Sequence, residues 1–100
     1  MATLIVTLSR LKAATFSTAP VAQGSACRTE TITMPASGDL VANGEEIVEL
    51  LADADCWVAI GADPDSSLAT DGTGTARKLK ADVPYTFGIQ DGEKVAVEAA

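Results

Sequence analysis

Apolar and polar residues alternate along much of this chain with the two-residue period of a strand, and no segment keeps a 3.6-residue period long enough for a helix. Thr3 to Leu8 is rich in β-favouring residues and predicts a first strand. Arg28 to Met34 sets Thr29, Thr31 and Thr33 on one face and Glu30, Ile32 and Met34 on the other, a half-exposed strand stopped by Pro35 and Gly38. Asn43-Gly44 is a strong turn signal, because both residue types tolerate positive φ, and it leads into a strand over Glu46 to Leu51. In the next run Cys56, Val58 and Ile60 share one face and Trp57, Ala59 and Gly61 the other, which predicts a central strand buried on both sides. Further strands are expected at Ala76 to Lys80, Tyr85 to Ile89 and Lys94 to Val97, with Asp91-Gly92 as the hairpin turn between the last two. The small-residue tract Ala13 to Ala26, interrupted by Pro20 and Gly24, reads as an irregular arm with a short strand near Thr15 and Phe16.

These elements predict an all-β fold: a compact antiparallel β-sandwich or small barrel of about seven or eight strands. Residues 1–100 read as a single β domain, with 1–26 forming an N-terminal strand plus an irregular arm. Trp57, Val58, Ile60, Phe87, Ile89, Val95 and Val97 are the expected core. Hydrophobic residues make up 47% of the chain but aromatics only 4%, so that core must come largely from Val, Ile, Leu and Ala. A domain of 100 residues built this way has modest stability by itself and gains from assembly. No stretch reaches the roughly 18 to 20 apolar residues that cross a bilayer, and Leu4-Ile5-Val6 is far shorter than a secretory leader's apolar segment, so a soluble chain without a membrane partner is expected.

Charge divides the chain unevenly. Between Arg28 and Arg77 lie ten acids (Glu30, Asp39, Glu45, Glu46, Glu49, Asp53, Asp55, Asp63, Asp65 and Asp71) and no base, within a net charge of -7. Such a surface repels phosphate backbones, and Arg77-Lys78-Leu79-Lys80 is too short a basic cluster to reverse that, so no nucleic-acid partner is expected. Glu45, Glu46, Glu49, Asp63, Asp65 and Asp71 are the candidate contacts to a basic protein surface, with a solvated acidic face as the plain alternative.

The residues that usually carry chemistry are sparse. Histidine is absent, which removes Ser/His/Asp and Cys/His arrangements, and no glycine-rich phosphate loop occurs. Asp53 with Asp55, or Glu45 with Glu49, could do acid/base work, yet both pairs read more simply as strand edges and turns. Cys27 and Cys56 fit no thiolate metal pattern; two buried free thiols are expected, with a disulfide as the alternative. Asp63, Asp65, Ser67 and Asp71 gather oxygen atoms as a weak calcium loop would, but the sixth and twelfth positions from Asp63 are Leu68 and Gly74, where a calcium-binding helix-loop-helix needs Gly and Glu. The expectation is therefore a noncatalytic protein with no cofactor and no metal. The loop from Asp63 to Thr75 is a candidate contact region.

Cys56-Trp57-Val58-Ala59-Ile60-Gly61, the following Asp63-Pro64, and the ending Phe87-Gly88-Ile89-Gln90-Asp91-Gly92-Glu93-Lys94-Val95-Ala96-Val97 resemble a pattern in small tailed-bacteriophage virion proteins. The resemblance covers residues 54 to 97. It implies a small virion β protein, made in the host cytoplasm and carried on the capsid surface as a decoration or cement protein. Its implied partners are the major capsid protein and copies of itself, with a trimer as the preferred oligomer. The family supplies no catalytic residues to transfer. The acid-rich middle and the Asp82-Val83-Pro84 turn depart from the pattern, and the alternatives they leave are a head-tail or fibre-associated virion part and a free carbohydrate-binding or inhibitor module.

Overall fold

In the computed structural model, residues 2–13, 20–65, 67 and 74–100 are described. They form eight strands: β1 (Thr3–Ala13), β2 (Pro20–Thr33), β3 (Ala36–Ser37), β4 (Glu46–Ala52), β5 (Cys56–Gly61), β6 (Arg77–Leu79), β7 (Tyr85–Gly88) and β8 (Lys94–Ala99). No helix occurs among the described residues. The strands make two four-stranded antiparallel sheets, ordered β2-β1-β4-β7 (sheet A) and β3-β8-β5-β6 (sheet B). The fold is all-β, two sheets sharing one apolar interior.

Alternation along each strand determines which side chains enter that interior. Sheet A contributes Leu4, Val6 and Leu8 from β1, Ile32 from β2, and Val48, Leu50 and Ala52 from β4. Facing them from sheet B are Cys56 and Val58 of β5, Leu79 of β6, and Val95 and Val97 of β8. Met34, Ala42 and Ile89 close the core from the connections, while Ile60, Tyr85 and Phe87 are partly buried against it.

Trp57 departs from the expectation that it belongs to this core. It pairs with Lys78 of β6 on one side and Glu98 of β8 on the other, placing it on the outer face of sheet B, where it is half-buried. The expected second buried face of β5 is real only at Ala59, which lies opposite Ala96; both are small enough to be covered by their neighbours. Apolar character on two faces marked β5 as an inner strand, which it is, but not the depth of each side chain.

The N-terminal region is also more regular than its composition implies. β1 runs on through Ala13, and β2 begins at Pro20, so the tract read as an irregular arm is in large part the outer strand of a long hairpin. Pairing to β4 ends at Arg10 opposite Glu46, and the hairpin continues beyond the sheet as a two-stranded extension through Ala13 opposite Pro20. The register jumps between Ser9, opposite Cys27, and Leu11, opposite Ala22, which leaves the residues around Gly24 outside the ladder. Thr15 and Phe16, where a short strand was expected, lie outside the described residues.

Two turns differ from their predicted forms. The reversal at Asn43-Gly44 puts the positive φ one residue later, on Glu45 (φ 64), whose carbonyl accepts the Leu11 N–H at 2.7 Å. Asp91-Gly92 does turn, with Gly92 at φ 85, but it carries the chain from β7 of sheet A to β8 of sheet B and so is no hairpin. Reciprocal bonds anchor that crossing: Ala42 N–H donates to the Glu93 carbonyl and Gly92 N–H to the Ala42 carbonyl, both at 2.8 Å.

Candidate functional site

Half of the ten acids between Arg28 and Arg77 are engaged within the fold. Glu46 is only 8% exposed; its carboxylate pairs with the Arg28 guanidinium at 2.7 Å and accepts the Asn43 N–H. This corrects its expected role as a partner contact, because a buried carboxylate already holding a cation has little left to offer an incoming surface. Glu30 accepts the N–H groups of Asp39 (2.8 Å) and Leu40 (3.2 Å), tying the connection after β3 to β2. Asp55 accepts the Ala81 N–H at 2.8 Å. Asp53 accepts both the Thr3 N–H (2.7 Å) and the Thr3 hydroxyl (3.0 Å), clamping the start of β1 to the end of β4. The Thr3 backbone donor, then its hydroxyl, hold the Asp53 carboxyl below the usual carboxylate range.

Glu45, Glu49, Asp63 and Asp65 are exposed, and Asp71 lies outside the described residues. Glu45 sits in the turn before β4, whereas Glu49 is on the strand itself. Asp65 folds back on Ser67, accepting its N–H (3.0 Å) and hydroxyl (2.7 Å), and these bonds lower its pKa. Among the described residues, no three of the Asp, Glu and Cys side chains gather as metal ligands would. Cys27 is exposed and Cys56 buried, and both are free thiols; the expectation that both would be buried fails for Cys27, which lies opposite Ser9 on the edge strand. Burial first, then the nearby Asp55 and Asp53 carboxylates, pushes the Cys56 thiol up.

The outer face of sheet A is the surface that charge-based reading missed. Register places Thr31, Ile5 and Leu51 in one row across β2, β1 and β4, and Thr29, Thr7, Glu49 and Thr86 in the next, which extends onto β7. The Thr7 and Thr29 hydroxyls are 3.4 Å apart, and Ile5 and Leu51 are each 40% exposed. Glu49 is the one formal charge in these rows, although the chain as a whole carries -7. The signal was present in the sequence as the alternation of Thr3, Ile5 and Thr7 with Leu4, Val6 and Leu8.

A second feature lies at the open edge of the sandwich, where β6 and β7 are short. There Val58, Ile60, Thr75, Arg77, Phe87, Gly88 and Glu93 line a cleft of about 320 Å³. The Arg77 guanidinium sits 5.1 Å above the Phe87 ring, which stacks in turn on Tyr85 with parallel planes.

The molecule is thus defined by class as an all-β protein of two antiparallel sheets, with a methyl-and-hydroxyl outer face and a small edge cleft. No family model, curated protein or solved structure matches the chain. No helix among the described residues is long and apolar enough to cross a membrane.

Proposed function

We propose that this chain is a noncatalytic structural protein of a tailed-phage virion, a capsid decoration protein that binds the assembled outer shell. The observation that carries this reading is the outer face of sheet A: Ile5 and Leu51 lie side by side among threonines, with Glu49 the one carboxylate in their two rows and Asp53 tied to Thr3 at the strand end, on an otherwise acidic protein. Interface centres are depleted of charge in this way, whereas a solvated face on an acidic chain normally carries more of it. The sequence resemblance of residues 54 to 97 to small virion proteins supplies the setting, and the partners it points to are the major capsid protein and copies of this chain, arranged as a trimer.

The acids support a noncatalytic role. Asp53 and Asp55, the pair best placed in sequence for acid/base work, are engaged with Thr3 and Ala81 in holding strand ends. Function on this reading is mass action: a protein that binds the assembled lattice in preference to free capsid subunits shifts the equilibrium toward the intact shell. A sandwich whose strands are already paired around a core suits that task, because its backbone need not order on docking.

Quantitative mass spectrometry of purified virions tests this. A decoration protein is expected in copy numbers comparable to the major capsid protein. A few copies per particle would move the chain to a head-tail or fibre position, and its absence from particles would overturn the virion reading in favour of a free binding module.

A further inference from the structure

The cleft at the open edge of the sandwich brings together an apolar floor, a cation and a carboxylate. Its floor is apolar, made by Val58, Ile60 and Phe87. Arg77 occupies the register position opposite Val58 and two residues before buried Leu79, so strand alternation turns it toward the cleft, where its exposed guanidinium lies over the Phe87 ring and keeps its N–H donors free. Glu93 lines the same cleft from the connection to β8. One of its oxygens accepts the Gln90 N–H at 2.6 Å, which fixes the side chain in place and leaves the other oxygen available. Among the described residues no ion pair joins Arg77 to any carboxylate, so the two opposite charges share one cleft without neutralising each other.

We propose that this cleft binds a small zwitterion with an apolar substituent, the chemistry of a free apolar α-amino acid. The Arg77 fork takes the carboxylate, Glu93 takes the ammonium, and the substituent lies on Val58, Ile60 and Phe87. A volume of about 320 Å³ is at the small end for ligand sites, which matches a molecule of this size. A ligand with so few heavy atoms is expected to bind with a Kd on the order of 1 mM. The site is independent of the docking face, which lies on the outside of sheet A.

The test is an amide NMR titration of the full chain with leucine, alongside glycine, N-acetyl-leucine and leucinamide. Saturable leucine shifts are expected at Val58, Ile60, Thr75, Phe87 and Gly88, none with glycine, and affinity weaker by about tenfold when either charged end is blocked. Arg77→Gln is expected to weaken leucine by a similar factor, and to bring leucine and leucinamide to nearly equal affinity. Glu93→Gln keeps an oxygen to accept the Gln90 N–H, so its effect on leucine is read in a folded protein. The proposal is overturned by the absence of saturable shifts at these amides, by N-acetyl-leucine and leucinamide binding as tightly as leucine, or by affinity unchanged in both variants.

Discussion

Five acids in the stretch between Arg28 and Arg77, namely Glu30, Glu46, Asp53, Asp55 and Asp65, accept backbone N–H groups that the sheet ladders leave without partners. A run of negative charge thus becomes a set of local clamps, each at the end of a strand or in a connection. For Asp53 and Asp65 the folded-state pKa is lowered, so their contribution is fully present above about pH 5 and is lost as pH falls through the folded values. Urea titrations at pH 7 and pH 3 are expected to show a larger loss of midpoint for the native sequence than for Asp53→Asn; equal losses would contradict the Thr3 clamp. Gly38 is a second residue whose role is visible only in three dimensions. A Cβ there would collide with the Glu30 carboxylate and come within 2.8 Å of Ile32 Cδ1. Both atoms end flexible side chains and can move, at the cost of the Glu30 bonds to Asp39 and Leu40, so Gly38→Ala is expected to destabilise the fold by about 1 kcal/mol, measured by the same urea titration. The two thiols differ as sharply: a disulfide-exchange reagent is expected to modify Cys27 alone in the folded protein and Cys56 only on unfolding. Rapid modification of both in native buffer would contradict the burial of Cys56.

At the scale of elements, alternation made β4, β5 and β8 legible, because each buries branched side chains against the other sheet, and β7 legible through Tyr85 and Phe87, which pack partly buried on the core. The start of β2 was not legible. Its residues from Pro20 to Ala26 carry little hydrophobic signal, and pairing to β1 is a backbone matter that small residues permit without announcing. Asp91-Gly92 was read as a hairpin because a turn motif reports local φ and not which sheet the next strand joins; β8 finds its partners in β5 and β3. The partner of Glu46 was equally hidden, since Arg28 lies 18 positions away on another strand. Of the outer face of sheet A, Thr29, Thr31 and Thr33 could be assigned to one side, but their joining with Ile5 and Leu51 requires the β1-β2 and β1-β4 registers. Arg77 gave no sign of entering a cleft, standing as it does beside Lys78 in a short basic cluster. The two faces of sheet A make opposite predictions. Leu50→Ala, from the buried face, is expected to cost about 2 to 5 kcal/mol, whereas Ile5→Thr, from the outer face, is expected to stay within about 0.5 kcal/mol. Thermal unfolding distinguishes them, and a large loss for Ile5→Thr would mean that the outer face serves the fold itself.

At the scale of the molecule, two sheets share one core, and among the described residues no buried side-chain nitrogen or oxygen lacks a partner. What remains for function is an outer face with little charge and an edge cleft with two. The virion reading rests on that face, and it separates folding from docking cleanly, since Ile5 and Leu51 lie outside the core cluster. The most direct test of that proposal is therefore binding of purified protein to capsid shells that lack it, from the phage to which the proposal assigns it, comparing the native sequence with the double variant Ile5→Lys, Leu51→Lys. The native protein is expected to saturate the shell and the double variant, with unchanged thermal unfolding, to bind at least about tenfold more weakly. Equal binding by both, or no binding by the native protein, would contradict the assignment of this face to a capsid partner.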